Sequence, residues 1–107
     1  MKSPKEVTLL IVDDEEHLRE SIVFDFTRKG FNVLSAENGR KAYELILKHP
    51  VDLVISDIRM PGGDGLELLE RIRLLDAETP IVIFLTGFAD VTESEMYAKG
   101  AKKMSGA

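Results

Sequence analysis

Val7-Thr8-Leu9-Leu10-Ile11-Val12-Asp13-Asp14-Glu15 runs from a largely apolar stretch straight into three acids, and Val51-Asp52-Leu53-Val54-Ile55-Ser56-Asp57 repeats the plan with one acid at its end. A continuous apolar run of this length suits a strand buried on both faces. Consecutive βα units lay such strands parallel, so their carboxyl ends share one edge of the sheet, where ligands bind in open α/β folds. The two runs therefore place Asp13, Asp14 and Asp57 at one edge, and the three carboxylates are expected to meet.

Working outward, apolar runs of strand length alternate with amphipathic segments of helix length. Residues 15–29 carry Leu18, Ile22 and Phe26 four apart on one helical face, with Gly30 placed to end the helix. A second strand is expected over 31–36. Asn38 is a suitable N-cap for a helix over about 40–48, with Ala42, Leu45 and Ile46 as its buried stripe and Pro50 beyond its end. Leu53, Val54 and Ile55 form the core of a third strand. The turn-rich loop Met60-Pro61-Gly62-Gly63-Asp64-Gly65 leads into a helix bearing Leu66, Leu69 and Ile72 on one face. Pro80 precedes a fourth strand over 81–85, and a weaker helix over about 90–99 ends at Gly100. The order βαβαβαβα specifies an open, doubly wound parallel sheet with helices on both faces.

Composition narrows the function. A chain of 107 residues with 44% hydrophobic content suits one domain. Its net charge of −5 argues against a nucleic-acid surface, and the pair Lys102-Lys103 is too small to alter that. With no cysteine, a bound metal must take oxygen or imidazole ligands, which favours a hard cation. The first six residues lack the apolar segment of a signal peptide, and no apolar run is long enough to span a bilayer. A cytoplasmic protein without membrane contacts is expected.

Carboxylates about 4 Å apart repel by about 4 kcal/mol per pair at an effective dielectric of ~20, so gathering three calls for a counterion. Oxygen-only ligation with few protein ligands suits Mg²⁺, which commonly sits between carboxylates and a phosphoryl group. For any one acid alone the plainer reading is better: Asp13 as helix N-cap, Asp14 and Glu15 facing the helix dipole, Asp57 in a turn. His17 is expected on a helix surface, and His49 near a helix C-terminus.

Leu10-Ile11-Val12-Asp13-Asp14-Glu15, then Ser56-Asp57-Ile58-Arg59-Met60-Pro61 with Gly63-Asp64-Gly65, then Phe84-Leu85-Thr86-Gly87, together resemble a response-regulator receiver domain of two-component signalling. The resemblance runs from about Val7 to Ala101. It implies a flavodoxin-like sheet of order 2-1-3-4(-5) and a phosphoryl acceptor, Asp57, that attacks the phosphohistidine of a sensor histidine kinase or phosphotransfer protein. It further implies Mg²⁺ held by Asp14, Asp57 and the Arg59 backbone carbonyl, with Asp13 acting mainly through water. Thr86 becomes the switch hydroxyl, Arg59 and Phe88 border the phosphoryl group, and a downstream effector protein receives the signal.

Departures follow Ala101. The family's fifth strand would fall on residues 102–106, which have little strand character, and its lysine on Ala107, with Met104 at the aromatic switch position. The C-terminal βα unit is thus incomplete or atypical after about residue 101, and the single domain over 1–107 is expected to self-associate there. Two rivals stand beside the phosphoacceptor. One is a degenerate receiver that binds partners without phosphorylation. The other is a magnesium-dependent aspartyl phosphatase, disfavoured because Arg59 stands where its general acid belongs.

Overall fold

In the computed structural model, which describes residues 3–61 and 64–85, strands and helices alternate as the patterning requires. A short 3₁₀ turn at Pro4–Glu6 leads into β1 (Thr8–Val12), followed by α1 (Glu16–Arg28), β2 (Asn32–Ala36), α2 (Gly39–Lys48), β3 (Leu53–Ser56), α3 (Gly65–Leu75) and β4 (Ile81–Phe84). The four strands form one sheet of order β2-β1-β3-β4, every pair parallel. This is the flavodoxin-like α/β arrangement. Thr86, Gly87, Phe88, the helix expected over 90–99 and the atypical segment with Lys102, Lys103, Met104 and Ala107 lie outside the described residues, as does the self-association expected there.

Alternation along the strands sorts the core into two faces. Leu10, Val12, Val54, Val82 and Phe84 point to one side, where Ala42 of α2 and Leu68, Leu69 and Ile72 of α3 close over them. Leu10, Val54, Ala42, Leu69 and Val82 are wholly removed from solvent, each a gain of up to about 1.5–3 kcal/mol for the larger side chains. The other side carries Leu53, Ile55 and Ile83, faced by Ile22 and Phe26 of α1.

Among the described residues, that second face is less filled. Leu18, expected in the buried stripe of α1, is 42% exposed, and no residue of α1 is fully buried. α1 packs against β1 and β2, and a groove of about 350 Å³ runs between its Ile22 and Phe26 and the strand residues Leu53, Ile55 and Ile83.

Local chemistry sets the element ends. Asn38 caps α2 as expected, its Oδ1 accepting the Lys41 N–H at 2.9 Å, although the helix starts one residue earlier, at Gly39. Gly30 follows the C-cap of α1 with φ +96°, a conformation that suits glycine. Asp64 caps α3 by accepting the Glu67 N–H at 2.8 Å. The Asp52 carboxylate accepts the Thr8 N–H at 2.8 Å, pinning the start of β1 to β3.

Candidate functional site

The register of the sheet decides what meets at its carboxyl edge. Val12 stands opposite Ala36 on one side and Ser56 on the other, and Ser56 stands opposite Phe84. The ladder continues one step further: Asp13 N–H donates to the Ala36 carbonyl, Asp57 N–H to Val12 and Leu85 N–H to Ser56. Asp13 and Asp57 therefore leave adjacent strands at the same level. With Asp14 they present carboxylate oxygens that all lie within 4.8 Å of one another. The meeting expected from the two acid-ended runs is present.

The three acids differ in surroundings. Asp13 is buried, Asp57 half-buried and Asp14 exposed. Burial raises the Asp13 pKa above the ordinary carboxylate value; the Glu15 N–H, 2.9 Å from Oδ1, opposes the rise, and the charges of Asp57, Asp14 and Glu15 add to it. A carboxyl penalised by both desolvation and like charge is a natural place for a cation. Asp57 is oriented by its neighbours: Oδ1 accepts the Ile58 N–H at 2.7 Å, and its backbone carbonyl accepts the hydroxyl of the fully buried Ser56 at 2.7 Å.

Asp13 does not cap α1. Glu15 does, its carboxylate accepting the N–H groups of His17 and Leu18. Asp13 instead turns into the acidic cluster, because its chain is still tied to β2 through the Ala36 carbonyl. His17 is exposed on the helix, and Arg59 is exposed two residues beyond Asp57.

Two residues support the site: Arg19, which was not singled out from sequence, and Gly65, which was quoted there within the turn-rich loop and the receiver resemblance. Arg19 reaches back from α1 to donate to the Asp13 carbonyl at 2.7 Å, fixing the loop that carries Asp13 and Asp14. Gly65 packs so tightly under Asp57 that a Cβ there would sit 2.4 Å from the Asp57 carbonyl oxygen and 2.8 Å from the Phe84 ring. Its N–H also donates to the Ile58 carbonyl at 2.7 Å. The sequence offered Gly65 as a glycine of the turn-rich loop and of the receiver resemblance, without the close contact to Asp57 and Phe84.

The response regulator receiver domain family matches this chain over residues 9–104. The chain belongs to that family. Among its relatives, the sporulation initiation phosphotransferase F of Bacillus subtilis is 35% identical over 83 residues, 78% of this chain and 66% of that protein. The response regulator receiver protein CpdR of Brucella abortus is 36% identical over 83 residues, 78% of this chain and 68% of that protein. The regulatory protein AtoC of Escherichia coli is 39% identical over the same length, but there the match spans only 18% of the relative. Among solved structures, the chemotaxis protein CheY4 of Vibrio cholerae superposes with TM-score 0.80 at 26% identity, over 90% of this chain and 82% of that one. A chain in the complex of histidine kinase ThkA with response regulator protein TrrA superposes with TM-score 0.77 at 33% identity, over 90% and 81%. Receiver domains are phosphoacceptors that bind Mg²⁺ at an acidic pocket, and this chain carries an acidic cluster at the carboxyl edge of its sheet.

Proposed function

We propose that this receiver accepts a phosphoryl group on Asp57 from the phosphohistidine of a sensor histidine kinase or phosphotransfer protein, and thereby changes a surface read by an effector protein. The observation that carries the reading is the convergence of Asp13, Asp14 and Asp57 within 4.8 Å, with Asp57 half-buried in the group. A carboxylate oxygen of Asp57 attacks phosphorus, the P–N bond breaks, and the imidazole leaves with the bonding electron pair.

The donor set fits a hard divalent cation: three carboxylates and the nearby Arg59 backbone carbonyl supply only oxygen. Asp13, Asp14, Asp57 and that carbonyl are the groups proposed to hold Mg²⁺, with Asp13 acting mainly through water. When bound, the ion supplies positive charge against the incoming phosphoryl oxygens. The protein's own residues do the positioning. Ile58 N–H fixes the plane of the Asp57 carboxylate, and Arg19 holds the Asp13-Asp14 loop. Thr86 is proposed as the switch hydroxyl because it follows Leu85, whose N–H continues the ladder beside Asp57. Arg59 and Phe88 are proposed to set the lifetime of the phosphoryl group. The kinase assignment draws on the fold likeness to the ThkA–TrrA complex, and a cytoplasmic location fits a kinase partner of this kind.

Incubation with acetyl phosphate and Mg²⁺, followed by intact mass, tests the reading. A gain of one phosphoryl group that disappears in Asp57→Asn is expected. A folded protein that gains nothing, and whose backbone NMR spectrum is unchanged by beryllium fluoride, overturns it in favour of phosphorylation-independent binding.

A further inference from the structure

We propose that the open edge of β2, with the face of α1 beside it, is where a second copy of this chain docks, strand antiparallel to strand. β2 lies at one end of the order β2-β1-β3-β4. Asn32 N–H donates to the Val7 carbonyl and the Ala36 carbonyl accepts from Asp13 N–H, so the alternation of the ladder turns Val33 and Ser35 the other way. Their N–H and C=O groups point off the sheet, and among the described residues nothing pairs with them. Edge strands are usually blunted by lysine, proline or a bulge. Asn32-Val33-Leu34-Ser35-Ala36 has no charged residue and no proline, and its register with β1 runs unbroken from Asn32 opposite Thr8 to Ala36 opposite Val12.

The α1 face beside this edge indicates what covers it. Phe24 is 61% exposed and shares a groove of about 340 Å³ with Val23, Thr27 and Ser35, so it stands next to the middle of β2. One turn before it is Glu20, which lines the same groove, and one turn after it is Arg28, whose guanidinium lies 5.7 Å from the centre of the Phe24 ring. The row reads acid, aromatic, base, and neither charge has an ion-pair partner among the described residues. Turned about a twofold axis normal to the sheet near Leu34, it meets itself in reverse: Phe24 on Phe24, with Glu20 on Arg28 at both ends. The same axis sets Val33 opposite Ser35 of the second copy, so the outward groups of each strand bond those of the other. α1 packs against β1 and β2, so its axis lies inside β2; with paired strands about 4.8 Å apart, the two α1 axes fall about 10 Å apart, the spacing of packed helices. On the opposite face of the sheet, Lys41 is already paired with Glu37, and Glu44 and Lys48 carry opposite signs, so α2 adds no net repulsion. A partner of uniform charge would be drawn to one end of the α1 row and repelled by the other.

Sedimentation equilibrium should show the wild-type mass rising towards that of a dimer with concentration. Ser35→Pro deletes one outward N–H and leaves the bonds to β1, made by Asn32, Leu34 and Ala36, in place; it should stay monomeric with an unchanged circular dichroism spectrum. Glu20→Arg turns both cross-copy pairs repulsive and should weaken association by about tenfold. Adding Arg28→Glu to it should restore association, because the row with its charges exchanged still matches its own reverse. A monomer at all concentrations overturns the proposal. So does association that a folded Ser35→Pro leaves intact, or a double variant no better associated than Glu20→Arg. Where Ser35→Pro does not fold, the charge exchange alone decides. None of these outcomes bears on phosphorylation of Asp57.

Discussion

At the scale of single residues, the site is a balance between what holds Asp13, Asp14 and Asp57 together and what their charges do to one another. Two backbone groups orient them among the described residues: Asp13 accepts from Glu15 N–H and Asp57 from Ile58 N–H. Neither removes the mutual repulsion, so the cluster is destabilising when fully ionised without a cation. The sign follows from Asp13, whose pKa is raised on folding. A raised carboxyl favours the folded state while protonated, below its unfolded value near 4, and that contribution is lost as pH rises through the folded value. Asp13→Asn is therefore expected to raise the melting temperature of the cation-free protein at neutral pH, and to narrow its advantage as pH falls towards 4. Thermal melts in EDTA at several pH values check this; a variant less stable than wild type at pH 7 contradicts it. Gly65 has a different role, since its missing Cβ lets α3 begin directly beneath the Asp57 carbonyl. Gly65→Ala must push the Asp57 loop or the Phe84 ring aside, and a loss of about 1–3 kcal/mol is expected, as for overpacking elsewhere. Slower phosphorylation by acetyl phosphate should accompany it, which a rate measurement on the still-folded fraction would reveal.

At the scale of elements, order and type of the strands and helices up to β4 could be read from hydrophobic period alone, because each apolar run was bounded by a turn or cap residue with a mechanism. Asn38 is the clearest case: its side chain accepts the Lys41 N–H, and replacing it by alanine should cost about 1 kcal/mol in a denaturant titration. What could not be read was which polar residue would take each cap. Asp13 looked like the N-cap of α1, but the β1–β2 ladder extends through its N–H and holds it back, leaving the cap to Glu15. Arg19 was hidden, and Gly65 visible only as a glycine of the turn-rich loop and family motif, because their roles depend on how the loops after β1 and β3 fold back onto the helices that follow. The link between α3 and β4 offers a test of opposite sign to Asp13. Asp76 accepts the N–H groups of Glu78 and Thr79, which lower its pKa. Its contribution is present above the unfolded value near 4 and is lost as pH falls through the folded value. Asp76→Asn should flatten the acid limb of the stability profile below about pH 4 and leave the relative pH dependence above it unchanged; an unaltered acid limb would contradict the assignment.

At the scale of the whole molecule, the two faces of the sheet are unequal, and this bears on how strongly the site couples to folding. The face under α2 and α3 is closed by a continuous cluster from Leu10 to Phe84, whereas the face under α1 retains a groove over Leu53, Ile55 and Ile83. The acidic cluster spans both halves, because Asp13 leaves the strand next to α1 and Asp57 leaves the strand that leads to α3. A cation bound only when β1 and β3 are aligned therefore stabilises the whole fold by mass action. At a free concentration of 100 times its dissociation constant, the gain is about 2.7 kcal/mol. For a domain of this size that corresponds to an upward shift of roughly 10–20 °C in melting temperature. Mg²⁺ titrated into the wild-type protein should raise the transition progressively, and should go on raising it by about 1.4 kcal/mol per tenfold increase in free ion after the native site is filled. Asp57→Asn removes one of the three charges without disturbing the ladder, since its backbone N–H still reaches Val12. It should begin more stable than wild type in EDTA, respond more weakly to Mg²⁺, and so be overtaken by the wild-type protein as the cation is raised. That crossing separates a cation site from general screening of a −5 chain, because screening depends on ionic strength and NaCl at the same ionic strength would reproduce it.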